Sequence, residues 1–356
     1  MARSRVITGT PAEHGYSFPA EWVRHKGTWI SWPRPEGISF PGRYHDAIED
    51  ITRLIRVVVT REEVHLNVPN DNYERLVRAF LKARKVPMRR VFFHQIPTNE
   101  CWTRDHGPAF VLRKRRGRIE AAIVDWGYNA WGGKYPPYDA DDAVPTRVAE
   151  ALGLPVFYPG IVMEGGAVDF NGVGTVLTTT SCLLNKNRNP QLSKSEIETY
   201  LRDYYGQLHV VWLGDGIEGD DTDGHIDDLA RFLNEDTIVI GLEDDPSDAN
   251  FEVLRENRKR LDRTRDQSGR AFNIVELPMP KPVSHDGQRL PATYMNFYFV
   301  NGALLVPTFG QGARDRQALS ILQRHVPHRE VIGVDCRALI WGLGAIHCFT
   351  QQQPAF

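Results

Sequence analysis

Apolar positions along this chain fall repeatedly into a period of two and then switch to a spacing of three to four. Phe110 to Trp126 reads as a β-hairpin about Gly117, Val168 to Thr179 as a second about Asn171-Gly172, and Phe297 to Phe309 as a third about Asn301-Gly302. Asn-Gly between alternating apolar residues is a strong hairpin signal, because both residues tolerate the positive φ of a tight turn between twisted strands. Leu229 to Leu242 fits a fourth hairpin, turning near Asn234-Glu235-Asp236. A helical pattern and a short apolar strand follow each hairpin: Ala143–Leu152 with Val156–Tyr158, Ser193–Tyr205 with Leu208–Leu213, Asp248–Arg265 with Phe272–Leu277, and Ala313–His325 with Glu330–Val334. In the last helix Leu319, Ile321, Leu322 and Val326 carry the spacing.

Arg43–Val58 with Val64–Val68 makes a fifth helix–strand pair, followed by an additional helix and strand, Asn72–Ala83 and Arg90–Gln95. Its hairpin is missing, and Thr28–Trp32 paired with the C-terminal Ile340–Phe349 would complete it. The chain thus reads as five β-β-α-β units of about 60–70 residues, with the two ends closing a ring into a single α/β domain over 1–356. The alternative is an ordinary α/β domain with irregular strand order. Asp105, Glu164, His225 and Asn296 each stand at or just before the opening of a hairpin, and Cys348 falls in the closing unit. Equivalent positions in such a ring converge on one axis.

Composition narrows the class. A chain that is 41% hydrophobic and 25% charged builds a substantial core. A net charge of -2 argues against a nucleic-acid or membrane-surface binder. The basic run Arg113 to Arg118 sits at a hairpin tip and reads as a solvated turn rather than a phosphate site. The N-terminal Met1-Ala2-Arg3-Ser4-Arg5-Val6 opens no apolar stretch of signal-peptide type, and four cysteines without regular spacing read as thiols of a reducing, cytoplasmic compartment.

The chemistry lies in five short motifs. Cys348, beside His347 and after Gly342 and Gly344, becomes a nucleophile only if its thiolate is stabilised; otherwise it is a buried structural thiol. Cys101, Cys182 and Cys336 lack comparable acid–base company and read as structural. His225 lies in the acidic run Glu218 to Asp228. An EF-hand aligned on Gly224 would end at Ala230, where a bidentate Glu is required, and no HExxH or paired CxxC spacing supports zinc. The better reading is a strand edge on which His225 and Asp227 point the same way, with the histidine as proton donor. Trp102 and Asp105 suit a planar cation, the carboxylate accepting a fork of N–H bonds and the indole offering its π face; an Arg104–Asp105 structural pair is the competing reading. Glu164, flanked by Gly165 and Gly166, fits as the partner that orients His225, or else as a structural acceptor. Together these residues describe an enzyme acting on guanidines. Asp105 and Asp227 grip the guanidinium, Cys348 attacks its carbon, and His225, held by Glu164, serves as acid and then base.

From Pro19-Ala20-Glu21-Trp22 to Thr350-Gln351-Gln352-Gln353-Pro354 the chain closely resembles the agmatine deiminase group. This group lies in the guanidine-modifying (pentein) superfamily, which also includes bacterial peptidylarginine deiminase. The resemblance is carried by Trp102 to Pro108, Asp125 to Gly133, Gly172 to Thr175, Cys182 to Pro190, the aspartate-rich histidine run, and Ile346 to Gln352. It implies a five-bladed pseudo-symmetric α/β propeller of ββαβ units and hydrolysis of agmatine to N-carbamoylputrescine and ammonia, a step of polyamine (putrescine) biosynthesis. The implied route runs through a covalent amidino-thioether on Cys348, with His225 and Glu164 as its acid–base pair and Asp105 and Asp227 on the guanidinium. It implies no cofactor, no metal, and a homodimer. Two departures bear on the substrate tail: Asp221-Thr222-Asp223-Gly224-His225-Ile226-Asp227 differs from a Thr-Asn-Gly-His-Val-Asp form, and Glu100 stands where aspartate is expected.

Three rivals have distinct signatures. Free arginine as substrate calls for basic groups facing the site to meet its α-carboxylate, for which Arg104 and Arg337 are candidates, while an intracellular setting disfavours arginine in a peptide. A guanidine-binding protein without activity would be expected to lack Cys348 or His225, and both are present. A cysteine amidase or protease needs one thiol and one imidazole but no extra carboxylates. Trp29, Trp32 and the Trp126–Tyr135 aromatic loop are candidates to close over the substrate.

Overall fold

The computed structural model describes residues 5–356; Met1 to Ser4, the start of the stretch read as lacking a leader, lie outside it. Five sheets repeat one plan, an antiparallel pair extended by a parallel strand. In chain order of their hairpins they are Ala109–Arg115, Arg118–Val124 and Val156–Phe157; Asp169–Phe170, Thr175–Thr179 and His209–Leu213; Ala230–Asn234, Thr237–Leu242 and Asn273–Pro278; and Tyr298–Val300, Ala303–Thr308 and Glu330–Asp335. In the fifth, His25–Ser31 runs antiparallel to Gln351–Pro354 and parallel to Glu63–Val68, which pairs in turn with Val91–Gln95. The hairpins turn where the sequence places them, at Gly117, Gly172 and Gly302, each with positive φ.

Helices between the second and third strands follow from their apolar spacing. Tyr44–Val58 buries Ala47, Ile48, Ile51, Leu54, Ile55 and Val58 on one face. Lys194–Tyr205 starts in a capping box between Ser193 and Glu196 and stops at left-handed Gly206. No helix among the described residues is long and apolar enough to cross a membrane.

The closing strand differs from the reading above. Ile340–Phe349 is not a strand but a 3-10 turn, Leu339–Gly342, and a short helix, Ile346–Phe349; the strand is Gln351–Pro354. Left-handed Leu343, between two glycines, breaks the extended path. The polar strand escapes a hydrophobicity pattern because its glutamines are satisfied internally: Trp29 Nε1 donates to Gln353 Oε1 at 2.9 Å, Arg104 Nη1 to Gln352 Oε1 at 2.7 Å, and Gln351 Nε2 to the Pro108 carbonyl at 3.0 Å. A small separate hairpin, Ser284–His285 with Gln288–Arg289, is also outside that pattern.

Successive sheets share apolar cores. Val124 and Phe157 pack with Phe170 and Val176; Leu177 and Val211 with Phe232 and Ile240; Val239 and Leu277 with Tyr298 and Leu304. Leu304 and Val334 meet Ile30 and Leu66, and Trp29 meets Phe110 and Ile123. Polar clasps reinforce these seams at the hairpin tips. Asn301 accepts from the His25 N–H and donates to its carbonyl, each at 2.9 Å. Asn171 donates to the Glu235 carbonyl of the next hairpin at 3.0 Å. Replacing Asn301 by Ala is expected to cost about 1–3 kcal/mol, the range for orphaning part-buried backbone groups. Urea unfolding measures it, and a change below about 0.5 kcal/mol, the scale of a neutral surface substitution, would mean that apolar packing alone holds this seam.

Candidate active site

The five chemistry-bearing positions stand just ahead of the five sheets' first strands. Asp105 lies in the short helix Thr103–His106, Glu164 precedes the 3-10 turn Gly165–Ala167, and His225 precedes the 3-10 turn Ile226–Asp228. Asn296 precedes Tyr298–Val300, and Cys348 lies in Ile346–Phe349. His225 and Asp227 are therefore not on a strand edge. The tight turn, not strand alternation, brings both inward.

Gly166 marks the point of convergence. A Cβ there would lie 2.6 Å from His225 Nδ1, 2.7 Å from Asp105 Oδ1 and 3.2 Å from Asp227 Oδ2. Its backbone N–H donates to Asp105 Oδ1 at 2.9 Å, while Trp131 Nε1 donates to Asp105 Oδ2 at 2.9 Å. Asp227 Oδ2 faces His347 Nδ1 at 2.6 Å and Cys348 Sγ at 3.6 Å, and Asp227 Oδ1 is buried without a partner. Asn296 donates from Nδ2 to Cys348 Sγ and to Asp228 Oδ1, both at 3.0 Å. Its Oδ1 accepts from the His347 N–H at 2.9 Å. His347 Nε2 lies 2.8 Å from Glu21 Oε2, so this ring can donate to carboxylates on both sides only as the imidazolium.

Glu164 and His225 are both fully buried, yet no hydrogen bond joins them. Glu164 Oε1 accepts from Arg188 Nε at 2.5 Å, and its Oε2 is unpartnered, as are both His225 nitrogens. Cys182 corrects its reading as a thiol without acid–base company: donor atoms of Glu164, Cys182 and His225 lie within 4.8 Å of one another. Asp227, Asp228 and Cys348 form a second such group. Both could count as three-donor cation sites, but Arg188 already holds Glu164, so a metal there would meet its positive charge, and His347 already holds Asp227.

Electrostatics follow from this crowding. Burial, with Asp227, Asp228 and Asp105 close by, pushes the Cys348 thiol well up. Burial opposes charge on His225, but Asp105, then Cys182 and Glu164, outweigh it and raise the imidazole well above its usual value. Burial raises Asp105 against the pull of His225. Burial would raise Asp227 too, but its bond to His347 holds it below the usual carboxylate range.

A cavity of about 290 Å³ leads to this cluster, with Asp105 and Cys348 on its floor, Trp102 and Trp131 among its walls, and Asp221 and Asp286 also lining it. The Trp102 indole N–H is held by Ser39 Oγ at 2.9 Å, leaving the ring to line the space. Gly342 and Gly344 make room for that ring rather than for a ligand: a Cβ on either would lie 2.6 or 2.5 Å from it. Arg104 does not pair with Asp105. It is buried against Glu21 and Gln352, while Arg337 pairs with Asp335 at the surface, so neither lines the cavity. Of the gate candidates, Trp131 and Tyr135 line the cavity, whereas Trp29 and Trp32 are core residues. Glu21, Arg188 and Asp228 are not among the site residues that the sequence points to, and Trp131 is there only as part of the gate loop, not as a donor to Asp105. The available signal was their place inside the Pro19 to Trp22, Asp125 to Gly133, Cys182 to Pro190 and aspartate-rich stretches.

Gly166→Ala tests the convergence. Its backbone φ is not positive, so only the added methyl intrudes, and kcat/KM is expected to fall by about 10²-fold, the scale of an ångström-sized misplacement. Unchanged turnover of a guanidine by a folded variant would remove these three groups from one site.

Residues 17–354 match the model of the Porphyromonas-type peptidyl-arginine deiminases. An agmatine deiminase of Medicago truncatula is 35% identical over 378 residues, covering 98% of this chain and 99% of the relative. Among solved structures, the agmatine deiminase of Enterococcus faecalis aligns with a TM-score of 0.91 at 32% identity, over 99% of both chains. An agmatine deiminase of C. jejuni with substrate bound aligns with a TM-score of 0.85 at 31% identity, over 95% of this chain and 96% of that one. With the family model matched over nearly its whole length and relatives of this identity end to end, the chain belongs to the Porphyromonas-type peptidyl-arginine deiminase family.

Proposed function

We propose that this protein is an agmatine deiminase, converting agmatine and water to N-carbamoylputrescine and ammonia within putrescine biosynthesis. One observation carries the choice of substrate. The described residues lining the cavity include Asp105, Asp221 and Asp286 but neither lysine nor arginine. A guanidine with a cationic tail fits such a lining. The α-carboxylate of free arginine would be desolvated without a counter-charge. The relatives at full-length coverage, named as agmatine deiminases, support the same reading.

In this reading Asp105 and Asp227 hold the guanidinium between them, with the Trp102 ring against the substrate. With the substrate's charge in place, Cys348 gives its proton to solvent and Sγ adds to the central carbon to give a tetrahedral adduct. His225 gives its proton to one terminal nitrogen, the C–N bond breaks, and ammonia leaves an amidino-thioether. His225, now neutral, takes a proton from water as the water oxygen bonds to the same carbon. Collapse breaks the C–S bond, the hydroxyl proton of the adduct goes to the departing sulfur, and the urea group stays on the product with Cys348 restored as a thiol. Glu164 supports the charge on His225 from close by rather than through a hydrogen bond. No step requires a metal or cofactor.

The same reading takes residues 1–356 as one deiminase domain and the five sheets as blades of a pseudo-symmetric propeller. It is supported by the shared strand plan and by the sequence of apolar seams that returns to the first sheet. Free, buried cysteines support a reducing, cytoplasmic setting. The homodimer implied by the resemblance belongs to the reading as well, and sedimentation tests it.

Ammonia release from agmatine, free arginine and an arginyl peptide in metal-free buffer tests the function. Agmatine is expected to be preferred over arginine by roughly two orders of magnitude in kcat/KM, with Cys348→Ala inactive on all three. Preference for arginine or peptide would keep the chemistry and overturn the substrate, and no ammonia from any guanidine would leave a binding protein. A second prediction follows from the raised thiol. In the free enzyme, alkylation of Cys348 by iodoacetamide is expected to accelerate only above the ordinary thiol range. A rate already at its plateau at neutral pH would point instead to a resting thiolate–imidazolium pair.

A further inference from the structure

The turn that supplies an indole N–H to Asp105 is held in an unfavourable backbone conformation. Ala130, Trp131, Gly132 and Gly133 follow one another at φ 52°, 54°, 89° and 79°, and the first two have side chains that disfavour this region. Such strain persists only where the surroundings fix it. Here Asn129 donates to the Asn187 carbonyl at 3.0 Å and accepts from the Gly132 N–H at 2.8 Å, and a Cβ on Gly132 would strike Asn187.

Asn187 is also part of an ionic cluster. Asp223 Oδ2 accepts from Asn187 Nδ2 at 3.0 Å and Arg188 Nη1 at 2.5 Å, and Asp223 Oδ1 accepts from Lys134 Nζ at 3.1 Å. Lys134 and Tyr135, at the end of the same turn, both bond Asp221 on the cavity wall. Arg188 meanwhile turns its Nε to Glu164 at 2.5 Å and its Nη2 to the Thr222 carbonyl at 2.9 Å. One guanidinium thus touches both the carboxylate behind His225 and the acid that anchors the Trp131 turn. Asp223 is one of the two positions, with Ile226, at which this chain departs from the Thr-Asn-Gly-His-Val-Asp form; asparagine there could accept from Arg188 but would carry no charge for Lys134.

We propose that Arg188 and Asp223 are positioning residues of the active site: Arg188 fixes Glu164 as the counter-charge behind His225, and Asp223 latches the Trp131 turn that aims its N–H at Asp105. This rests on the deiminase reading above. Glu164 is faced by Arg188, His225, Cys182, Asp105 and Tyr128, and Arg188 is the permanent cation among them. Without it no cation answers the buried carboxylate, which no longer stands as a fixed counter-charge to a protonated His225.

The two residues give separable signatures. Arg188→Met is expected to lower kcat on agmatine by about 10²-fold, the scale of a lost acid–base function. The alkaline limb of kcat, along which His225 loses the proton it donates, should move down by about one pH unit, with KM little changed. Arg188→Lys restores the alkaline limb but not full kcat, because an ammonium cannot fork between Glu164 and Asp223. Asp223→Asn keeps the alkaline limb in place and raises KM by about five- to tenfold, through a looser Trp131 turn, an effect on the scale of about one lost hydrogen bond. In 15N-histidine spectra, His225 of Arg188→Met should lose its proton at lower pH than in the unmodified enzyme. That readout does not depend on turnover. If the unmodified protein releases no ammonia from any guanidine, the functional reading falls, and the His225 titration alone decides the positioning role. If Arg188→Met does not fold, the Lys and Asn variants carry the test. Variants that lose thermal stability while KM, the alkaline limb and the His225 titration stay put would reduce both residues to structural ones and overturn the proposal.

Discussion

Six carboxylates buried around one point set the terms for everything else in this fold. Glu21, Asp105, Glu164, Asp169, Asp227 and Asp228 are all nearly or fully inaccessible. An ionised carboxylate taken out of water costs several kcal/mol even after relaxation, so each must be answered from within. Arg231 reaches Asp169 and Glu21 at 3.0 Å each, His347 bridges Glu21 and Asp227, Arg188 takes Glu164, and Asn296 takes Asp228. Burial alone would raise Glu21, and it is Arg231 and then His347 that hold it far below the usual range. The compensation is incomplete in one direction. Asp227 Oδ1 and Glu164 Oε2 have no partner, and Asp105 receives only neutral N–H donors and a distant His225 at 3.7 Å. That residual negative field lies at the floor of the cavity, where a cation would supply what the protein withholds.

The repeated strand plan is what makes such crowding attainable. Each site group is carried at the entry to a different sheet, so the backbone delivers it from its own direction and no single loop must present them all. The answering charges also cross between repeats: Arg231, in one hairpin, bonds Asp169 of the preceding one and the Phe297 carbonyl ahead of the next. Removing one member of such a buried pair typically costs about 3–5 kcal/mol, because its partner is left charged and alone. Stability and site geometry are thus written into the same contacts. A mutation of Arg231 or Glu21 would be read as a loss of activity although neither touches the cavity.

What the sequence made legible follows from which signals are local. Asn171-Gly172 and Asn301-Gly302 announce hairpins because turn geometry is decided by two residues. The helix of Ala313–His325 announces itself by spacing alone. Cys348, His225, Glu164, Asp105 and Asp227 could be proposed together because their residue types make sense only as a set. Geometry beyond that set was not readable. The strand Gln351–Pro354 carries no apolar alternation, since Gln353 and Gln352 accept hydrogen bonds from Trp29 and Arg104 and Gln351 donates one to the Pro108 carbonyl. Trp131 reaches Asp105 only because four consecutive residues turn left-handed, and Arg188 reaches Glu164 from a loop 24 residues away. Those contacts depend on tertiary paths, which no local pattern encodes.

The surroundings of Cys348 also explain how a raised thiol can serve a nucleophilic role. Its neighbours are Asp227 at 3.6 Å and the Asn296 amide at 3.0 Å, with Asp228 and Asp105 beyond, and no cationic side chain among the described residues bonds the sulfur. In the empty site these acids favour the neutral thiol. A guanidinium held by Asp105 and Asp227 reverses the field. A unit charge about 4 Å away, at an effective dielectric near 20, contributes about 4 kcal/mol. That corresponds to about three pK units in favour of the thiolate. A neutral amide or urea supplies no such charge and leaves the sulfur protonated. In the proposed reading, the carboxylates that hold the substrate also keep the nucleophile silent until a cation arrives, and selectivity for guanidines lies in the activation of the thiol as well as in the grip on the substrate.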